Sequence, residues 1–301
     1  MASSATTATN QDTKLNLDEL ASQYGYAATF FNSDPELKQL INDAVTNQWS
    51  ADQFKAKLTA SNWYRSRSDA LKQWQELNAR DPAEVQNRIN TKLADLTDQA
   101  SQLGITIAPD RLKQIATDAL SMGWSDNMVQ DALAKEWQYK PNGGTSGGAA
   151  ANEDKVRQAA GDFGVTVSDS QVASLVGGLL SGKYNQDNID SYMRDMAMSK
   201  YPGMKQYLQQ GMTVRQVASP YTQSYSQLLE VNPDTVNLTD PIIQKALQGT
   251  PDPKTGTQNM QSVYQFEQSV RNDPRWLQTN NAHQSMETTA LQIAKDFGFH
   301  S

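Results

Sequence analysis

The sequence predicts an all-α chain: tandem repeats of short helical units joined by loops, with a flexible Gly/Ser/Ala linker between two halves. Three observations carry this expectation. Leu112, Ile115, Ala116, Ala119 and Leu120 fall at i, i+3, i+4, i+7 and i+8, the stripe of an amphipathic helix. Residues 100–133 align without a gap to residues 160–193, an offset of sixty residues. Residues 140–153 read KPNGGTSGGAAANE, a composition that neither packs a core nor holds one conformation.

Taken in order, residues 1–14 are small and polar and read as a disordered arm. Residues 15–139 form an N-terminal half of two repeat units and a connecting helix. The connecting segment lies in 81–98, where Val85, Ile89, Leu93 and Leu96 keep helical spacing. After the linker, residues 154–301 hold one clear unit and one divergent unit.

The clear pair matches position by position. Leu103-Gly104-Ile105-Thr106-Ile107 answers Phe163-Gly164-Val165-Thr166-Val167, Trp124 answers Tyr184, Val129 answers Ile189 and Leu133 answers Met193. Upstream, Tyr24-Gly25 answers Leu103-Gly104, and Trp49-Ser50 answers Trp124-Ser125. A weaker copy sets Phe266, Val270 and Trp276 against Phe54, Leu58 and Trp63. Each unit reads alike. A helix stops at a Gly, the residue that tolerates the left-handed cap. A brief extended segment follows. A cap such as Asp34 before Pro35, or Ser168, opens a second helix, and a Ser at position 125 opens a third. A further helix is expected over 220–229, and residues 250–259 read as an exposed loop.

Composition narrows the function classes. The 301 residues are 38% hydrophobic, with a mean hydropathy of −0.67. Six Trp, eleven Tyr and seven Phe still supply large buriable surfaces, so several small cores fit better than one large one. Net charge is −7. The densest basic cluster, Arg65, Arg67 and Lys72, is ringed by acids. Specific nucleic-acid binding, which needs a basic face, is not expected. The absence of cysteine removes disulfides, thiolate metal sites and Cys nucleophiles. No apolar run approaches the ~20 residues of a membrane span, and the N-terminus carries no signal-peptide pattern.

Candidate chemistry is sparse. Residues 177–183 (GGLLSGK) approach a phosphate loop, but Tyr184 stands where Ser or Thr would bind magnesium, and no strand precedes it. His283 and His300 are the only histidines, too few for a triad or a metal cage. Glu19, Glu36, Glu136 and Glu230 have the apolar neighbours a hydrolase acid needs, yet each also fits a helix face or cap. No catalytic residue, cofactor or metal is assigned. Trp49, Trp63, Trp124, Trp137, Tyr184 and Trp276 recur near helix ends and are read as structural plugs rather than carbohydrate platforms. Among them Trp124 is expected to be the most costly to remove.

Several runs carry a family likeness. They are Tyr24-Gly25-Tyr26, then residues 30–37 (FFNSDPEL), Phe54, Leu58 and Asn62-Trp63-Tyr64. Ala218-Ser219-Pro220-Tyr221, residues 228–233 (LLEVNP), Asp273-Pro274-Arg275-Trp276 and residues 296–299 (DFGF) follow. In this order, and over nearly the whole chain, they resemble virion structural proteins of tailed bacteriophages that infect actinobacteria. The resemblance implies a minor tail-type, non-enzymatic role, assembled in the host cytoplasm and acting through contacts with other virion proteins such as tail or connector components. An internal protein ejected with the genome and a cell-wall-binding or peptidoglycan-hydrolase module are the alternative expectations.

Overall fold

Most of the described helices start at a side chain that accepts a backbone N–H, and those capping bonds mark where the helices begin. The structure is a computed structural model that describes residues 21–22, 24–141 and 143–297. Over these residues the chain is all-α, with almost no strand. The expected arm at 1–14 lies outside the described residues. The chain divides into two compact units. One holds the described residues up to Gln138 together with Ser146–Gly148; the other holds Tyr139–Thr145 and the described residues from Ala149 onward.

The first unit runs through α1 (Ala28–Asn32), α2 (Pro35–Thr46), α3 (Ala51–Ala60), α4 (Asn62–Arg65), α5 (Asp69–Arg80), α6 (Pro82–Leu103), α7 (Pro109–Met122) and α8 (Asp126–Lys135). Asp34 accepts the Glu36 N–H at 2.9 Å and Pro35 takes the first helical position, where its missing donor costs nothing. Ser50 and Gln53 close a capping box on α3. Ser125 sits at the N-cap of α8 as expected, but its side chain makes no capping bond. The connecting helix extends beyond the segment read for it, to 22 residues in α6.

Two cores fill this unit. Phe30, Phe31, Leu37, Ile41, Phe54, Leu58 and Trp63 form the first, with Trp49 packed at its edge. Leu96, Ile105, Leu112, Ile115, Val129 and Leu133 form the second, with Trp124 and Trp137 at its edge. Small separate cores match the polar composition.

The second unit runs through α9 (Gly147–Asp162), whose first residues belong to the other unit, then α10 (Asp169–Leu180), α11 (Gln186–Lys200), α12 (Lys205–Gln209), α13 (Val214–Leu229), α14 (Pro241–Gln248), α15 (Val263–Arg271) and α16 (Asn280–Asp296). Short 3-10 turns lie at Pro202–Met204, Pro233–Thr235 and Trp276–Gln278. The region 250–259 carries a minimal hairpin, pairing Thr250 with Asn259 and Pro251 with Gln258, where a plain loop was expected.

Two further expectations are corrected. The Gly/Ser/Ala stretch 140–153 is helical from Gly147 onward. Ala149 is fully buried, and Glu153 accepts bonds from Thr145 Oγ1 at 2.7 Å and Arg157 Nε at 2.9 Å. These contacts override the low helix propensity of the glycines. The helix expected over 220–229 instead starts at Val214, behind a Thr213–Gln216 capping box, and runs through Pro220. Pro220 forfeits one ladder hydrogen bond. Burial of Ala218, Tyr221 and Tyr225 on the same helix offsets the loss.

The Gly stops share one local geometry. Gly25, Gly104 and Gly164 have φ of 82°, 73° and 60°. In each case the next residue donates its N–H to the carbonyl five positions back: Tyr26 to Ala21 at 3.0 Å, Ile105 to Ala100 at 2.8 Å and Val165 to Ala160 at 2.9 Å. This is the six-to-one bond of the Schellman cap. The later loops match less closely. Trp49 and Trp124 donate to Ala44 and Ala119, five back, whereas Tyr184 donates to Gly178, six back. The left-handed residue there is Gly182, one position earlier than alignment with Gly123 requires.

Candidate functional site

The carboxylates with apolar neighbours are engaged by the fold. Glu36 accepts the N–H groups of Asn62 at 2.7 Å and Trp63 at 2.6 Å, tying the start of α4 to α2. Glu136 pairs with Arg111 at 2.8 Å. Glu230 accepts the Asn281 N–H at 2.8 Å, the Asn280 N–H at 3.1 Å and Asn280 Nδ2 at 3.0 Å. Glu19 lies outside the described residues.

The other motifs are also placed. Residues 177–180 of the glycine-rich stretch end α10 and 181–183 form the loop after it. His283 is exposed on α16, and His300 lies outside the described residues. The basic cluster is partly neutralised: Arg67 pairs with Asp34 at 3.1 Å and Lys72 with Asp69 at 2.6 Å. Among the described residues no group of three His, Cys, Asp or Glu is arranged to hold a metal ion. Among them no helix is long and apolar enough to cross a membrane.

The six aromatic positions separate into three environments. Trp63 and Trp276 are buried. Trp63 meets Phe30 edge-on at 5.2 Å and carries the Arg67 guanidinium over its ring at 5.2 Å. Trp49, Trp124 and Trp137 are half-buried at core edges. Tyr184 departs from the plug expectation, being 42% exposed.

An uncovered apolar stripe lies on α16. Thr279 caps it, accepting the Ala282 N–H at 3.1 Å, and Glu230 and the Gln227 carbonyl hold its first residues. Ala282 is fully buried. From His283 to Phe297 only Ala294 is even half-buried. Met286, Ala290, Ile293 and Phe297 follow one another at spacings of four, three and four. That alternation is the seam by which one helix packs on another. Met286, Ile293 and Phe297 are 47%, 51% and 78% exposed. The spacing is legible in the sequence, but spacing alone does not separate a covered stripe from an open one. Comparison with protein-family models, curated proteins and solved structures gave no match to this chain.

Proposed function

We propose that this chain is a structural component of a tailed-phage virion, tail-associated, acting through assembly contacts with other virion proteins. The observation that carries the reading is the uncovered seam of α16. In proteins, tertiary packing of an apolar face supplies most of a helix's stability. Here the packing is confined to the first turn. The remaining apolar positions gain that packing when another protein of the particle covers them. The engaged carboxylates and the run of small helical cores are in keeping with a scaffold role, and the family resemblance supplies the setting.

The test is mass spectrometry of particles purified from the infected host, with the wild-type chain and with a Met286→Glu/Ile293→Glu variant. Both side chains are exposed, so the variant should keep the wild-type circular dichroism and melt. The wild-type chain should appear in purified particles at a fixed ratio to other virion proteins, and the variant should be depleted. A chain abundant in the lysate but missing from particles overturns the proposal. Full incorporation of the variant removes the seam as its basis.

A further inference from the structure

The loop between α10 and α11 holds an aromatic ring in a seat that only glycine permits. A Cβ on Gly178 would lie 2.0 Å from Tyr184 Cδ2 and 2.4 Å from Cε2. The backbone is tied at the same place, since the Tyr184 N–H donates to the Gly178 carbonyl at 3.0 Å. A glycine inside a helix is less favourable than Ala there. At 178 it admits a ring that is held on one side and open on the other. The matching aromatics Trp49 and Trp124 lean into their own cores. Tyr184 faces a groove instead.

That groove runs between α10 and α11 and has a volume of about 460 Å³, within the ~300–1,000 Å³ range of small-molecule sites. A second ring, Tyr192, lines it at 37% exposure. The Tyr192 hydroxyl accepts a bond from Gln171 Nε2 at 2.8 Å, which leaves its proton free to donate. Asn188 uses Oδ1 to cap α11, leaving its Nδ2 donor available. The Asp195 carboxylate and the Ser174 hydroxyl also line the groove, and neither side chain makes a hydrogen bond with another described residue. No Lys or Arg lines it.

We infer that this groove is a saccharide-binding site, taking a neutral oligosaccharide of pyranose units. This goes beyond the assembly role and does not depend on it. The chemistry selects the class. A pyranose presents an apolar C–H face to an aromatic ring, and Tyr184 offers one locked face. Its rim presents hydroxyls. A carboxylate accepts from two of them, while the amide, phenol and serine donors answer their oxygens. The lone negative charge and the missing cations disfavour phosphate or nucleic acid. A peptide docking by apolar side chains needs apolar pockets, and Leu175 is the only aliphatic residue lining the groove.

The experiment is titration calorimetry of the full chain with a β-1,4-linked N-acetylglucosamine tetramer at millimolar concentrations, with a proline-rich peptide as the comparison ligand. Saturable binding of the sugar is expected. Tyr184→Ala and Asp195→Asn should each weaken it about tenfold or more while the helical circular dichroism spectrum is kept, because both side chains stand at the surface. Gly178→Ala is the positioning control. It keeps Tyr184 but evicts its ring, and should weaken binding as Tyr184→Ala does. No sugar binding, sugar binding indifferent to all three variants, or binding of the peptide alone would each overturn the inference.

Discussion

The Glu230 carboxylate accepts the Asn281 N–H at 2.8 Å, joining the end of α13 to the first turn of α16 across fifty residues of sequence. Glu230 itself stands in the left-handed region, at φ 55°. A non-glycine residue held there is strained, which the three bonds to Asn280 and Asn281 offset. The first turn of α16 holds no acidic residue of its own, so Glu230 is the charge that complements the positive end of its dipole there. The same device appears at Glu36, which caps α4 from α2.

This bond makes the attachment of α16 depend on pH. The N–H groups of Asn281, then Asn280, hold the Glu230 carboxyl below the usual carboxylate range. Its folded value is therefore lower than the unfolded value of about 4.3. The stabilisation is complete above that unfolded value and is lost as pH falls through the folded one. Amide NMR of Asn280 and Asn281 should show an acid transition below about pH 4.3 that Glu230→Gln abolishes. Identical profiles in wild type and variant would refute the assignment.

The Schellman glycines should respond unequally to alanine. At Gly25 a Cβ meets nothing within 4 Å. The cost there is only that of a left-handed L-residue, about 1–2 kcal/mol. At Gly104 the same strain is joined by a Cβ 1.8 Å from the Ser146 carbonyl oxygen, so backbone must move. Denaturant melts should show Gly104→Ala losing clearly more stability than Gly25→Ala. Equal losses would mean the Ser146 approach relaxes freely.

Burial also reorders the tryptophans. The recurrence of an aromatic at positions 49, 124 and 184 points to Trp124 as the costliest to truncate. In the structure Trp63 is only 3% exposed, whereas Trp124 is half-buried. Trp63→Ala should cost about 3–5 kcal/mol, the range for a core aromatic. Trp124→Ala should cost less. Chemical denaturation of the two variants checks the order, and a larger loss at Trp124 would restore the ranking drawn from recurrence.

What the sequence determined by itself is what short-range physics writes. Leu112, Ile115, Ala116 and Ala119 lie on one face because a helix repeats every 3.6 residues, so the helical class was legible there. Gly104 and Gly164 stop helices because they alone accept positive φ cheaply. Asp34, Ser50 and Ser168 begin helices because each can reach an N–H two or three residues ahead. Which side chains meet decided the rest. The stretch 147–153 has a linker's composition, but burial of Ala149 and the bonds to Glu153 draw it into α9. Met286, Ile293 and Phe297 have a core's spacing and stay uncovered, because whether a stripe is buried depends on what packs against it. Gly178 looks like any helical glycine until Tyr184, six residues on, folds back over it. The sequence marks which residues can pack or bind, and only the tertiary structure decides which of them meet a neighbour and which are left open.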